Sequence, residues 1–225
     1  MVLPIPDLEP RLQRRYQQLV KEHLHTNESV AAGPRALPGV NQAFASTQAA
    51  WRFYANPHLT LKELAAPLIA GGRDLLASQC QNYALIMHDW SDLHYGAHTR
   101  KTDRIPLGKD QGYQLETALL VSDRTGLPLT PLSLSLWAAD GIHTTRGAEV
   151  ATDHWRLDEL TATIKALEAG EWDLPLVHLS DRESDSITHL RDWDREQWRF
   201  VVRAKALPFV DWKAGKSGRA RLPTL

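Results

Sequence analysis

With 225 residues, 43% of them hydrophobic, and a formal net charge of -1, the chain has an ordinary globular composition and ample material for a core. The near-neutral balance argues against a basic nucleic-acid coat protein, so a DNA-handling enzyme of this composition must gather its positive charge locally. One cysteine, Cys80, excludes a disulfide framework and fits a reducing cytoplasm. No apolar run approaches the roughly 18 residues of a membrane span, and the start "MVLPIPDLEPRLQRRY" lacks the basic-then-apolar order of a signal peptide.

The first seventy or so residues read as helical. In "DLEPRLQRRYQQLVKEHL" the residues Leu12, Tyr16, Leu19 and Val20 recur at helical spacing, with basic charge on the other side. "AAGPRALPGV" interrupts the pattern with Gly and Pro. A second helix fits "STQAAWRFYAN", opened by Ser46 or Thr47 and stopped before Pro57. A third begins at Thr60, where "TLKE" has capping-box form with Glu63 three residues on.

From about residue 83 the pattern changes to strands. "YALIMHD" is a short apolar run that ends at an acid, and "YQLETALLVS" is a longer one closed by the turn signal "DRTG". "PLTPLSLSLWA" alternates Leu with Ser, which predicts a strand with one polar face, and Pro131 points to an edge or a bulge. "LDELTATIKALEAG" is an amphipathic helix with Gly170 as its stop. Strand "DLPLVHLSD", helix "SDSITHLRDWDREQ" and strand "WRFVVRAKA" follow. The order of three strands, helix, strand, helix, strand predicts a meander extended by parallel crossovers, that is, a mixed sheet with helices packed on it. No internal repeat or low-complexity segment is present.

Two of these strands end in aspartate, Asp89 and Asp181. Each aspartate alone is more often a turn residue or a helix cap than half of a metal site. If the first and fourth strands are neighbours, the carboxylates emerge side by side and suit Mg²⁺ or Mn²⁺, hard cations that prefer oxygen. Two such ions about 4 Å apart activate water and stabilise the leaving oxygen of a phosphodiester.

"MHDWSDLHY", "DRESDSITHL" and "FVVRAK", in this order, together with the upstream "FASTQAAWRFYANPHLTLKEL", resemble the IS4-type (Tn5-like) DDE transposases from about residue 5 to residue 208. The resemblance implies an α/β fold in which an RNase H-like mixed β-sheet is flanked by helices and preceded by a small helical DNA-binding region. The expected divisions are residues 1–75 for that region, 80–208 for the catalytic core, and 209–225 for a basic tail opening a β insertion. It implies that Asp89 and Asp181 are the first two acids of the catalytic triad and hold metal, with two Mg²⁺ or Mn²⁺ ions in a complete site. It places the family's "FVVR" arginine on Arg203, near the DNA backbone. The implied activity is binding of transposon ends, then metal-dependent strand cleavage and transfer to target DNA. Double-stranded DNA at transposon ends, target DNA and a second copy of a full-length relative are the implied partners. The implied location is the bacterial cytoplasm, at the nucleoid, with no membrane.

The family's third acid, a glutamate in a Tyr-x2-Arg-x3-Glu-x6-Lys signature, has no counterpart here. Glu183 belongs to the second aspartate's own motif, and Glu116 lies on a predicted strand, so neither is expected to replace it. The expectation is a chain cut short before the third acid. It would show weak or absent cleavage alone and expose apolar surface on one side of the sheet. A non-catalytic DNA-binding remnant or regulator of transposition is the alternative. An unrelated RNase H-like nuclease fits the aspartates but leaves the upstream resemblance unexplained.

Other residues are weighed against plainer roles. Arg100, Lys101 and Arg104, in the loop after the first strand, are candidate phosphate clamps near the metal site, and Arg52 is a candidate DNA contact. Trp90 could stack on an unpaired base. His88, His94 and His98 have no zinc-ligand spacing and read as surface or hydrogen-bonded side chains, and His178 as a satisfied structural one. "LGKDQG" lacks P-loop spacing.

Overall fold

The computed structural model describes residues 5–25, 43–147 and 155–204. Three helices come first: α1 (Pro10–His25), α2 (Ala43–Tyr54) and α3 (Leu61–Gln79). Strands β1 (Ala84–His94), β2 (Ile105–Leu107), β3 (Asp110–Ser122), β4 (Pro128–Ala138) and β5 (Gly141–Thr144) follow. Helix α4 (Arg156–Glu168), β6 (Leu176–Ser180), α5 (Ile187–Arg195) and β7 (Phe200–Val202) complete the described chain. It is a mixed α/β structure built on one seven-stranded sheet in the order β5-β4-β3-β1-β6-β7, with β2 paired to β3.

The sheet is antiparallel from β1 through β3 and β4 to β5, and parallel from β1 to β6 and from β6 to β7. The first and fourth predicted strands are therefore neighbours, as β1 and β6. The short strands β2 and β5 were not predicted. Each has at most four residues, too few for a period-two pattern to register. Strand β1 does not stop at Asp89 but runs on to His94, because β3 supplies a partner along its whole length. At Pro131 the β3–β4 register slips, leaving Leu132 as the extra residue of a bulge.

Helix α3 starts as its sequence predicts. The Thr60 hydroxyl accepts the Glu63 N–H at 3.2 Å, and the Glu63 carboxylate accepts the Thr60 N–H at 2.9 Å. The helix then lies close over β4, where a Cβ on Gly72 would sit 2.7 Å from the Leu132 side chain. Leu76 and Cys80 of α3 and Leu167 of α4 pack on Ala84, Ile86, Ala118, Leu120 and Leu176 of the sheet. Further along, Leu160 and Ile164 of α4 and Trp193 of α5 close over Trp90, Phe200 and Val202. A smaller cluster joins α1, α2 and the start of α3 through Leu19, Ala50 and Phe53 with Leu59 and Leu64.

Alternation along β1 assigns the sheet faces. Ile86, His88 and Trp90 point toward α3, α4 and α5, whereas Met87 and Asp89 point the other way. Among the described residues no helix joins a core cluster on that second face. Met87 is 46% exposed and Val201 60% exposed there.

Strand β4 has the expected polar face, and it is the buried one. Ser133 and Ser135 are buried at 2% and 0%, while Leu134 and Leu136 stand half-exposed. Alternation reported a two-faced strand correctly, but the helices cover the serine side. There Ser135 donates to Thr144 Oγ1 at 3.1 Å and accepts from Arg146 at 3.4 Å.

The turn after β3 also anchors the turn before β1. The Asp123 carboxylate accepts N–H bonds from Gln81 and Asn82, both at 2.8 Å, and from Tyr83 at 3.0 Å. Burial pushes this carboxyl up, but the three amide bonds outweigh it and hold the pKa below the ordinary value. A depressed acid contributes stability that is present above its unfolded pKa of about 3.9 and lost as pH falls through the folded value. Asp123→Ala is expected to cost about 1–3 kcal/mol at neutral pH and to flatten the acid limb of a pH–stability curve. An unchanged limb in urea melts at several pH values would refute the anchor.

Candidate functional site

The β1–β6 ladder ends with His88 opposite Ser180, and the β6–β7 ladder with Ser180 opposite Val202. The Arg203 N–H continues that second ladder, donating to the Ser180 carbonyl at 3.1 Å. The next position along each of the three strands is therefore Asp89, Asp181 and Arg203. These residues form one row across three adjacent strands. All three are exposed, on the face that no described helix covers. Adjacent strands are about 4.8 Å apart, so Asp89 and Asp181 are near neighbours along the sheet.

Asp181 does two things at once. Its Oδ1 accepts the Glu183 N–H at 2.8 Å and caps the single 3-10 turn Arg182–Ser184. The cap reading is thus correct in the structure, and it takes only one of the two carboxylate oxygens. Exposed carboxylates are hard-oxygen donors of the kind that Mg²⁺ and Mn²⁺ take. Among the described residues no His, Cys, Asp or Glu makes a group of three that could hold a metal ion.

Neither extra acid joins the row. Glu183 pairs with Arg156 at 3.1 Å on the surface. Glu116 is fully buried and lies beneath the sheet, because β1 pairs Asp89 with Thr117 and so turns Glu116 to the covered face.

The proposed phosphate clamps are positioned differently from the expectation. Strand β1 carries five residues past Asp89, so the loop begins about 17 Å further along at roughly 3.3 Å per residue. Arg104 is occupied there, donating from Nε to Lys101 O at 2.7 Å and from Nη1 to Tyr95 O at 2.8 Å and Gly96 O at 3.1 Å. The Lys101 ammonium sits over the rings of Tyr95 and Tyr113, 5.1 and 5.5 Å from their centroids. Burial, together with the hydrogen bond to Asp103 at 2.6 Å, pushes the Tyr113 phenol up to about 12. Arg104 and Lys101 therefore brace the loop, and Arg100 is exposed on it. Arg52 is exposed on α2. Trp90 packs against the Leu160, Ile164 and Trp193 cluster and does not share the face of Asp89.

A buried polar network lies under the row, in which His88 and His178 are hydrogen-bonded as expected, while their link to each other and to Glu116 and Glu168 was not foreseen. His88 Nε2 is 2.9 Å from His178 Nδ1, and His88 Nδ1 is 3.4 Å from Glu116 Oε1. His178 Nε2 is 3.2 Å from Glu168 Oε1. Burial pushes the His178 pKa down, against the raising effect of its hydrogen bond to Glu168. Thr163 donates to Glu116 Oε2 at 3.0 Å, and Arg146 joins Thr163 and, at 2.6 Å, Glu159. Glu116 amid apolar residues in "YQLETALL" was a further signal, which equally describes a solvated face. His94 bonds Asp110 at 3.1 Å and His98 packs edge-on against Tyr95, so both have plain local roles.

No protein-family model matches the chain, and no curated protein matches it. No described helix is long and apolar enough to cross a membrane.

Proposed function

We propose that the chain carries a DNA-processing core of the DDE transposase type, in which Asp89 and Asp181 bind a divalent cation, Mg²⁺ or Mn²⁺. The observation that carries this reading is the single exposed row of Asp89, Asp181 and Arg203 across β1, β6 and β7. The sheet supports an RNase H-like arrangement, since its antiparallel meander shares β1 with two later parallel strands. The resemblance to IS4-type transposases falls on these same three strands.

Each residue has a stated part in this reading. Asp89 and Asp181 supply hard oxygen ligands, and Asp181 is aimed by the cap that ties it to Glu183 N–H. Arg203 presents a guanidinium beside them, suited to a backbone phosphate of transposon-end DNA. A bound divalent cation would polarise a phosphoryl oxygen and lower the pKa of its water. Target DNA is the further partner in this proposal, and a homodimer is expected of a full-length relative. With two acids and no third among the described residues, cation affinity is weak and cleavage by this core is slow. That same observation favours the second reading, a DNA-binding regulator that holds transposon ends without cutting them.

Isothermal titration with Mn²⁺ tests the site. One ion is expected at about 10⁻⁴–10⁻³ M, as for sites with few charged ligands. Asp89→Asn and Asp181→Asn should each weaken it at least about tenfold, and Asn at position 181 can still cap the turn. Equal binding by both variants and the parent would remove the basis of the proposal. Slow Mn²⁺-dependent plasmid nicking supports the transposase reading, and DNA binding without nicking supports the regulator.

A further inference from the structure

The seam between β1 and β6 loses its backbone ties just where the aspartates stand. Its last register pair is His88 with Ser180. Beyond it Asp181 turns away into its capped turn, while β1 continues paired with β3. Two like charges on adjacent strands repel each other. The side-chain tie nearest the seam's end is the imidazole bridge, with His88 Nε2 and His178 Nδ1 at 2.9 Å. Both rings are buried, and each is held from behind. Glu116 of β3 stands 3.4 Å from His88, and Glu168 at the end of α4 stands 3.2 Å from His178. The chain of contacts thus runs β3, β1, β6, α4 directly beneath the aspartate row. In a low-dielectric interior such a connected polar chain resists displacement more than loose apolar packing does.

We propose that the buried His88–His178 bridge is a positioning element that holds Asp89 and Asp181 at cation-binding separation. The inference rests on the reading of the two aspartates as ligands. Neither histidine touches the cation. Both act through the strands that carry the carboxylates.

The test is Mn²⁺ affinity of the full chain by isothermal titration, with the electron paramagnetic resonance signal of free Mn²⁺ as a second readout. His88→Leu and His178→Leu keep bulk but break the bridge, and each is expected to weaken Mn²⁺ about tenfold, the low end of outer-shell effects. His88→Gln keeps a donor near the Nε2 position and His178→Asn an acceptor near the Nδ1 position, so these two should bind within about twofold of the parent. Two pairs keep the test readable if one leucine variant does not fold. Leu132→Ala, in the core under α3, is the control for general loosening and should melt earlier without losing Mn²⁺ affinity.

Folded leucine variants that bind Mn²⁺ like the parent overturn the proposal, and so does a Leu132→Ala loss as large as theirs. A parent whose Mn²⁺ binding does not depend on Asp89 and Asp181 overturns the metal reading itself. That failure shows in the aspartate variants before any histidine is changed.

Discussion

Arg146→Ala is expected to lower the unfolding free energy by about 3–5 kcal/mol, the range for breaking a buried ion pair from one side. Arg146 follows β5 and reaches under the sheet, where its Nη2 meets Glu159 Oε1 at 2.6 Å and its Nη1 joins Thr163 and Ser135. The Glu159 side chain is fully buried, so removal of the guanidinium leaves a carboxylate with no water to turn to. Thr163 also donates to the buried Glu116, so the loss spreads to a second carboxylate. Urea denaturation measures it directly. A double variant, Arg146→Met with Glu159→Leu, should recover more than half of the loss, because no charge is then left unpaired. A single-variant loss under about 1 kcal/mol would mean that the pair behaves like a surface one.

The second large effect is expected at Trp193, where alanine should cost about 3–5 kcal/mol. The indole is 1% exposed, stands edge-on to Phe200 with centroids 5.5 Å apart, and packs on Leu160 and Ile164. Its Nε1 donates to Thr161 Oγ1 at 2.9 Å. Helix α5 has nine residues, too few to persist without tertiary packing. Loss of the anchor should therefore loosen α5 and the β7 segment leading to Arg203 together. Trp193→Phe keeps much of the packing and should cost clearly less. Near-UV circular dichroism and urea melts report both, and equal melts for Trp193→Ala and the parent would refute the anchor role.

These two residues show how unevenly the sequence announces importance. Trp193 lies in "HLRDWDREQ", where charge surrounds it and a helical pattern alone gives little reason to bury it. Arg146 lies in an unremarkable turn before a stretch outside the described residues, and its partners come from β4 and α4. The basic loop of residues 98–104 is the opposite case. Its charges are conspicuous in the sequence, yet Arg104 and Lys101 are used to brace the loop against Tyr95 and Tyr113. A charge run reports composition, and only the fold shows what each charge meets. The tail of residues 209–225, expected to be basic, lies outside the described residues.

What the sequence determined alone was local. The Thr60–Glu63 cap, the turn after β3, the bulge at Pro131 and the period-two strands all follow from interactions within a few residues. Such interactions are visible in spacing. The order of strands left β1 beside β6 as a condition, which the parallel pairing of the two strands met. Tertiary structure decided the rest. Period two says that β4 has two faces but not which one α3 and α4 cover, and the buried face proved to be the one bearing Ser133 and Ser135. The length of β1 was set by β3, the position of Glu116 by the pleat, and the His88–His178 bridge by two strands 90 residues apart in the chain. These outcomes depend on free energies of burial and pairing between distant segments, and no local pattern carries them.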